Sequence, residues 1–352
     1  MSKTINASPE QMSLFGDALP TLQKRNNNKP CKSTFSPMMQ GIGTNRFTQI
    51  CTRTTPPAID IVTGTATIAF EGYSLKIDNY RSTRGIQPST HKLFNACVIA
   101  LTKQNSKKNN TINPLVKISL QQYAELLGKP HVKSAMDDLR KLVKDDLYSL
   151  SQCYLSWEET KGNKVEDFVE IKMFYQIGIR NGFIVVGFSP PLAEYLVNAY
   201  VMHFPEALFR LDERNPSSLI IGRKLSLHYG MNNNKRNGAG NIISVKALLT
   251  ECHQTIPSYA VVLESDKRVG ARIVRPFESA LDSLDFLRWE YVDAKGVTVD
   301  RSEMSRIVFA DFISLYIRFS IEGFPKRKTS KHVEEFNLVF DNDPALLPAH
   351  VS

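Results

Sequence analysis

The chain has 352 residues, enough for two domains, and its 44 lysines and arginines exceed its 35 aspartates and glutamates, giving a formal net charge of +9. This surplus favours an anionic partner. No apolar run approaches the roughly 18 residues that a membrane span needs, and the polar N-terminus lacks a signal-peptide core, so we expect a cytoplasmic protein without a membrane partner. The five cysteines contain no C-x-x-C pair, which predicts reduced thiols and neither zinc site nor disulfide framework.

The N-terminal segment and the residues after it differ in pattern. Residues 1–57 are polar, rich in proline and glycine and without clear periodicity, which predicts a flexible, mostly disordered arm. Two short strands are predicted between Ile59 and Ile77, around Gly64 and Gly72.

The segment that begins at Pro88 predicts a helix, a strand, two further helices and a hairpin. Leu115–Ile118 has the composition of a strand, and Ser119 is a suitable N-cap for the second helix. The third helix carries an apolar stripe from Val132 to Leu147. A wing follows, with strands at Ser149–Trp157, Phe168–Gln176 and Phe183–Phe188 and turns at 161–163 and 180–182. A linking helix is predicted after it, at Pro190–His203.

A second copy of this order begins at Pro216. Its first helix is followed by Ser244, which is predicted to cap a second helix, and residues 268–286 have apolar positions at steps of three or four. These residues are the candidate recognition helix. Leu287–Val292 and Val297–Val299 are strand-like around a turn at residues 294–296, as in a wing hairpin.

The two similar halves predict an α+β protein with two tandem winged-helix domains, a flexible N-terminal arm and a C-terminal tail. Phe309–Ile321 is dense in apolar residues, which predicts a buried strand or helix that closes the second domain. The predicted divisions are an arm at 1–57, a first domain with its linking helix at 58–205, a second domain at 206–324 and a tail at 325–352.

Charge distinguishes the two halves. Residues 215–275 contain nine basic and three acidic residues, whereas the helix at 131–147 has four of each sign. Phosphates complement the first pattern, although a solvated helix face would show the same surplus. We therefore expect the second domain to contribute more of the affinity for DNA. The candidate DNA-binding residues are Lys133, Arg140 and Lys141 in the first domain and Lys235, Arg236, Lys267, Arg268, Arg272, Arg275 and Lys295 in the second.

Four stretches between residues 88 and 292 carry a family resemblance: PSTHKLFNACVIALTKQN, SLQQYAELLG, FRLDERNPSSLIIGRKLSLHY and VRPFESALDSLDFLRWEY. They resemble the winged-helix replication initiators of bacterial plasmids, the Rep family. The resemblance implies binding of double-stranded DNA at repeated origin sites, opening of the duplex and recruitment of a host helicase or initiator protein. It also implies a homodimer that represses its own gene.

Motifs for enzymatic chemistry are missing from the sequence. The seven histidines form no H-x-H or H-E-x-x-H pair, and no G-x-x-x-x-G-K-[ST] loop occurs, so we expect no catalytic residue, metal or cofactor. A metal-dependent nicking enzyme is therefore disfavoured. A winged-helix transcriptional regulator that binds an operator, including its own promoter, stays open as the alternative, because the sequence does not separate it from an initiator.

Overall fold

The fold was analysed in a computed structural model of the chain. It describes residues 34–40, 58–60, 62–70, 73–80, 86–105, 112–161, 164–232, 241–252, 256 and 268–325. These residues divide into two compact units. Residues 36–202 form the first unit, and residues 203–324 form the second together with residues 34 and 35.

The first unit consists of a winged helix and an additional sheet. Its helices are α1 (Pro88–Asn105), α2 (Leu120–Leu126), α3 (Lys133–Ser151) and α4 (Pro190–Val197). Its strands are β1 (Phe35–Gln40), β2 (Ala58–Ile59), β3 (Ala66–Phe70), β4 (Tyr73–Ile77), β5 (Leu115–Ser119), β6 (Cys153–Lys161), β7 (Lys164–Lys172), β8 (Phe174–Arg180) and β9 (Phe183–Phe188). Strand β10 (Tyr200–Pro205) leads from the first unit into the second.

The winged helix of the first unit has the predicted order α1, β5, α2, α3 and a hairpin. The hairpin β8–β9 joins β5 in a three-stranded sheet of order β5-β9-β8. Ser119 caps α2 as predicted, since the Gln122 N–H donates to its hydroxyl and the Gln122 side chain accepts the Ser119 N–H. An aromatic cluster of Phe94, Phe174 and Phe188 joins α1 to the hairpin, with ring centroids 5.1–6.5 Å apart.

Strands β2, β3, β4, β6 and β7 form a second sheet that the sequence pattern did not predict. Strands β6 and β7 were predicted as part of the wing, but they belong to a five-stranded sheet of order β2-β3-β4-β6-β7. Only β8 and β9 form the wing. The alternation of side chains predicts strands correctly, but it does not say which strands pair, because pairing joins residues that are distant in sequence.

Two local predictions need correction. Strand β1 lies within the segment predicted to be an arm, and it forms because Met38 and Met39 are buried and the Met39 N–H donates to Thr102 Oγ1. The linking helix predicted at Pro190–His203 ends at Val197 and is followed by β10. Residues 1–33, 41–57 and 326–352, Gly72 and the turn residues 162 and 163 lie outside the described residues.

The second unit has the same order of elements. Its helices are α5 (Pro216–Asn232), α6 (Val245–Cys252), a π-helical turn (Gly270–Val274) continuing into α7 (Arg275–Asp282), and α8 (Phe309–Ser314), with 3-10 turns at Glu206–Arg210 and Arg301–Arg306. Its strands are β11 (Ile242–Ser244), β12 (Leu287–Val292), β13 (Thr298–Val299) and β14 (Tyr316–Ile321). The chain is thus an α+β protein with two winged helices.

The wing of the second unit is larger than predicted. Strands β12 and β13 do pair, but over only two residues each, whereas β12 pairs along its whole length with β14. The sheet order is β11-β14-β12-β13, so β14 lies between β11 and β12. The segment Phe309–Ile321, predicted as a closing strand or helix, supplies both α8 and β14, with Phe312 packing edge-on against Phe277 at 5.7 Å.

The turn between β8 and β9 provides a test of the first winged helix. Asn181 and Gly182 both have positive φ, 52° and 77°, as a type I′ hairpin turn requires. A Cβ at residue 182 would meet no atom within 4 Å, so Gly182→Ala should lower the free energy of unfolding by about 1 kcal/mol for conformational reasons alone.

Gly178→Ala, in the same hairpin, is the matched control. Its Cβ would also meet no neighbour, and its φ is ordinary, so we expect no loss of stability. Chemical denaturation of the two variants is the measurement, and equal stabilities would contradict this description of the turn.

Candidate nucleic-acid interface

Helix α3 presents the candidate residues of the first unit to solvent. Lys133, Arg140 and Lys141 are all exposed, whereas Leu139 and Val143 of the same helix are buried. Arg140 also forms an exposed ion pair, its Nη1 lying 3.2 Å from Asp137 Oδ1. A pair of this kind contributes little to stability, so the arginine can exchange it for another anion.

The predicted zero net charge of this helix does not describe its surface. Asp146 is buried and accepts hydrogen bonds from Ser89 at 3.0 Å and Thr90 at 2.6 Å, at the start of α1. Its negative charge there is favourable for the N-terminus of α1. Four basic residues therefore face three accessible carboxylates along α3, and the surface is weakly basic instead of neutral.

A groove of about 800 Å³ lies between α3 and the wing strand β8. Its lining is largely apolar, with Tyr148 from α3 and Ile177 and Ile179 from β8. Two cations, Arg140 and Lys144, and one carboxylate, Asp145, also line it. The groove adjoins the exposed basic face and places the two arms of the winged helix, α3 and the hairpin turn, on either side of one concave surface.

The candidate recognition helix of the second unit is interrupted near its start. The Arg275 N–H donates to the Gly270 carbonyl, five residues back, which is the hydrogen bond of a π turn. Pro276 follows immediately; it has no N–H to donate, and in a regular α-helix its ring would clash with the Arg272 carbonyl. The helix ends at Asp282, so the single helix predicted over 268–286 is shorter and contains this irregularity.

The three candidate arginines surround this irregular start. Arg268 and Arg275 are exposed and Arg272 is half-buried. Among the residues that the structure describes, none of the three forms an ion pair. Arg268 and Arg272 flank the first turn, where positive charge opposes the helix dipole. They therefore do not stabilise the helix electrostatically, and the same helix end is a favourable place for a phosphate.

The backbone at Arg268 carries conformational strain. Its φ is +59°, a left-handed conformation that side chains other than glycine seldom adopt. Its carbonyl accepts the N–H groups of Ala271 at 3.1 Å and Arg272 at 2.9 Å, so it occupies the position from which the helix starts. A strained, exposed cation at this position is a feature found more often at functional sites than in ordinary helix starts.

Arg301 fixes the other end of the recognition helix to the wing. Its guanidinium lies 3.1 Å from Glu278 and 2.8 Å from Asp282, both on α7, and it stacks on the Trp289 ring of β12 at 4.6 Å. The indole N–H of Trp289 donates to Asp282 as well, at 3.1 Å. These contacts neutralise two carboxylates on the recognition helix and hold α7 and β12 in one orientation.

The wing of the second unit carries Lys295 at its tip. Lys295 is exposed in the turn between β12 and β13, and Val297 beside it is 61% exposed. The Lys295 and Val297 N–H groups both donate to Asp293, at 2.9 and 2.8 Å. The structure thus places the recognition helix and a basic wing tip in one compact unit.

Part of the basic surplus of this half is not available at the surface. Arg223 is 4% exposed, and Lys224 Nζ lies 2.5 Å from Glu251, so neither adds a free cation to the interface. The candidate residues Lys235, Arg236 and Lys267 lie outside the described residues.

The described residues offer little for bond-making chemistry. They contain no group of three His, Cys, Asp or Glu side chains arranged to hold a metal. Burial raises the pKa of the Cys97 and Cys252 thiols to about 12, which leaves them protonated and unreactive. Burial also raises the pKa of the Tyr291 hydroxyl. Among the described helices, none combines the length and apolarity of a membrane crossing.

Comparison with known proteins gives one match to a family model, within residues 77–207. Residues 77–207 match the model of the family described as initiator replication protein, WH1. No curated protein sequence matches the chain. Two crystal structures of domains 2 and 3 of RctB resemble this chain. The first has 10% sequence identity, covers 80% of this chain and 100% of its own, and has a TM-score of 0.42. The second has 9% sequence identity, covers 79% of this chain and 96% of its own, and has a TM-score of 0.39.

The strain at Arg268 leads to a measurable expectation. Arg268→Gly should raise the free energy of unfolding by about 1 kcal/mol, because glycine adopts a positive φ without steric cost. Arg268→Ala removes the same charge and keeps the strain, so its stability should stay within about 0.5 kcal/mol of the parent chain. Denaturant titration checks both variants, and a glycine variant less stable than the alanine variant would refute the strain.

Proposed function

We propose, from the match of residues 77–207 to the model of the family described as initiator replication protein, WH1, that this chain initiates plasmid replication by binding double-stranded DNA at repeated origin sites. It acts without covalent chemistry. Binding relies on shape and on neutralised phosphates, with sequence read by side chains of the recognition helices.

One observation carries the proposal: three arginines without ion pairs among the described residues surround the start of a helix in the second unit, where positive charge opposes the helix dipole. Arg268, Arg272 and Arg275 supply cations, and the N-terminus of the helix adds its own positive partial charge. Lys295 reaches the backbone or the minor groove from the wing. The Arg301 contacts hold the helix and the wing in a fixed orientation relative to each other.

The first unit contributes a smaller share of the affinity. Lys133, Arg140 and Lys141 contact phosphates from α3, whose accessible charge is only weakly positive. We keep Lys235, Arg236 and Lys267 as candidates on the strength of the sequence alone. The domain limits 58–205 and 206–324 are likewise proposed, as are a homodimer and a host helicase or initiator protein as partners, which the resemblance to plasmid initiators suggests.

The function is tested on the DNA that flanks the gene. The purified chain should protect repeated sites there from cleavage in a footprinting assay. The gene with this DNA should also maintain a vector that lacks an origin. Protection without maintenance would favour the alternative, a transcriptional regulator bound to an operator, whereas absence of protection would refute both. Nicking of supercoiled DNA with added divalent metal should be negative.

Arg272→Ala tests the interface itself. The variant should bind the protected site about 5- to 150-fold more weakly, as expected for the loss of a phosphate or base contact worth about 1–3 kcal/mol. If the lost contact is to a phosphate, the slope of log affinity against log salt should fall by about 0.9. Gel-shift titrations over a range of salt concentrations provide both values.

Arg214→Ala is the matched control for this measurement. Arg214 is exposed in the same unit, is already paired with Asp212 at 2.7 Å, and precedes α5. The start of α5 contacts the far end of the recognition helix, since Ser218 and Ser283 are joined by a 2.8 Å hydrogen bond. Loss of the Arg214 side chain should change the affinity for the protected site by no more than about twofold. An equal effect of the two variants would therefore mean that Arg272 acts only through the net charge of the protein.

A further inference from the structure

Four hydrogen bonds within residues 293–297 hold the tip of the second wing. Residues 293–297 form a turn in which the Asp293 N–H donates to the Val297 carbonyl at 2.9 Å and the Gly296 N–H donates to the Asp293 carbonyl at 3.0 Å. The Asp293 carboxylate accepts the two remaining inward N–H groups, those of Lys295 and Val297. Gly296 has a φ of +79°, which lets the chain reverse here.

A buried arginine on the neighbouring strand β14 donates a hydrogen bond to the same turn. This residue, Arg318, is 4% exposed, and its Nη2 donates to the Gly296 carbonyl at 2.7 Å. Its Nη1 donates to Glu290 at 2.9 Å, directly across the strand pair. Glu290 in turn accepts the hydroxyl of Thr298 at 3.4 Å, on the strand that leaves the turn. Both strands of the wing and its tip are therefore tied to one guanidinium.

We infer that Asp293 and Arg318 are positioning residues that hold the wing tip in its DNA-binding shape before DNA arrives. The inference rests on the proposed function, because it concerns how Lys295 is presented to a duplex. A turn that is already ordered loses less conformational entropy on binding than a flexible one. Lys295 and Val297 then project from a fixed backbone.

The charge of Asp293 makes this inference separable from simple electrostatics. A carboxylate at a wing tip repels phosphates, so its removal should strengthen binding if only charge matters. If the geometry of the turn matters, removal of the acceptor should weaken binding. Asp293→Asn keeps the acceptor oxygen and loses the charge, whereas Asp293→Ala loses both.

The experiment measures two properties of the full-length chain. Hydrogen exchange of the Lys295 and Val297 amides, without DNA, should be at least about tenfold faster in Asp293→Ala than in the parent chain and nearly unchanged in Asp293→Asn. Affinity for the footprinted site should fall about three- to tenfold in Asp293→Ala, and should stay equal or rise in Asp293→Asn.

A double variant identifies the residue through which Asp293 acts. If the turn serves mainly to present Lys295, Asp293→Ala should weaken binding less in a Lys295→Ala background than in the parent chain. Arg318→Gln, made together with Glu290→Gln so that no charge is left unpaired, should also speed exchange of the turn amides. Faster exchange with unchanged affinity would refute the positioning role, and unchanged exchange would refute the rigid turn.

The outcome distinguishes this inference from the proposed function. A parent chain that protects no flanking DNA refutes the function, while the exchange measurement still reports on the turn. A parent chain that binds, with Asp293→Ala binding equally well or more tightly, refutes the inference and leaves the function intact.

Discussion

The burial of one apolar stripe determines which residues at the start of the helix in the second unit are exposed to solvent. Ile273, Phe277, Ala280 and Leu281 are completely buried, and Phe277 packs edge-on against Phe312 of α8. Each large apolar side chain contributes about 1.5–3 kcal/mol when removed from water, far more than any exposed ion pair. Once this face is fixed, the residues between its members have to face outward. The arginines at the start of the helix are therefore presented by packing instead of by any attraction of their own.

Charged side chains in this protein serve two different purposes, and burial separates them. Asp146 and Arg318 are buried and have short hydrogen bonds or ion pairs inside the fold, where loss of a partner would leave a costly unpaired group. Arg268 and Arg275 stand exposed and are paired with no described residue. The first set makes the wings and helices rigid, and the second set is available to a ligand. Net charge alone does not distinguish these sets.

Rigidity and exposed charge are linked most closely in the second unit. Arg301 joins the recognition helix to β12, and Arg318 joins β12 and β14 to the wing tip. The helix and the wing, which would contact DNA at different places, are thus parts of one hydrogen-bonded body. The strain at Arg268 is tolerated because the packed helix that follows it over-determines its position.

The sequence by itself determined the kind and order of the helices and the hairpin that make up each winged helix, because helix and strand periods, the caps at Ser119 and Ser244 and the turn at Asn181 depend on residues close in the chain. It also identified the arginines that flank the recognition helix, since they fall outside an apolar stripe of clear period. Only the tertiary structure decided that β6 and β7 leave the wing for another sheet and that β14 pairs with β12. It alone showed that Asp146 and Arg223 are buried. Strand partners and buried charges depend on contacts between residues that are distant in sequence. A local pattern of residues does not predict the free energies of such contacts.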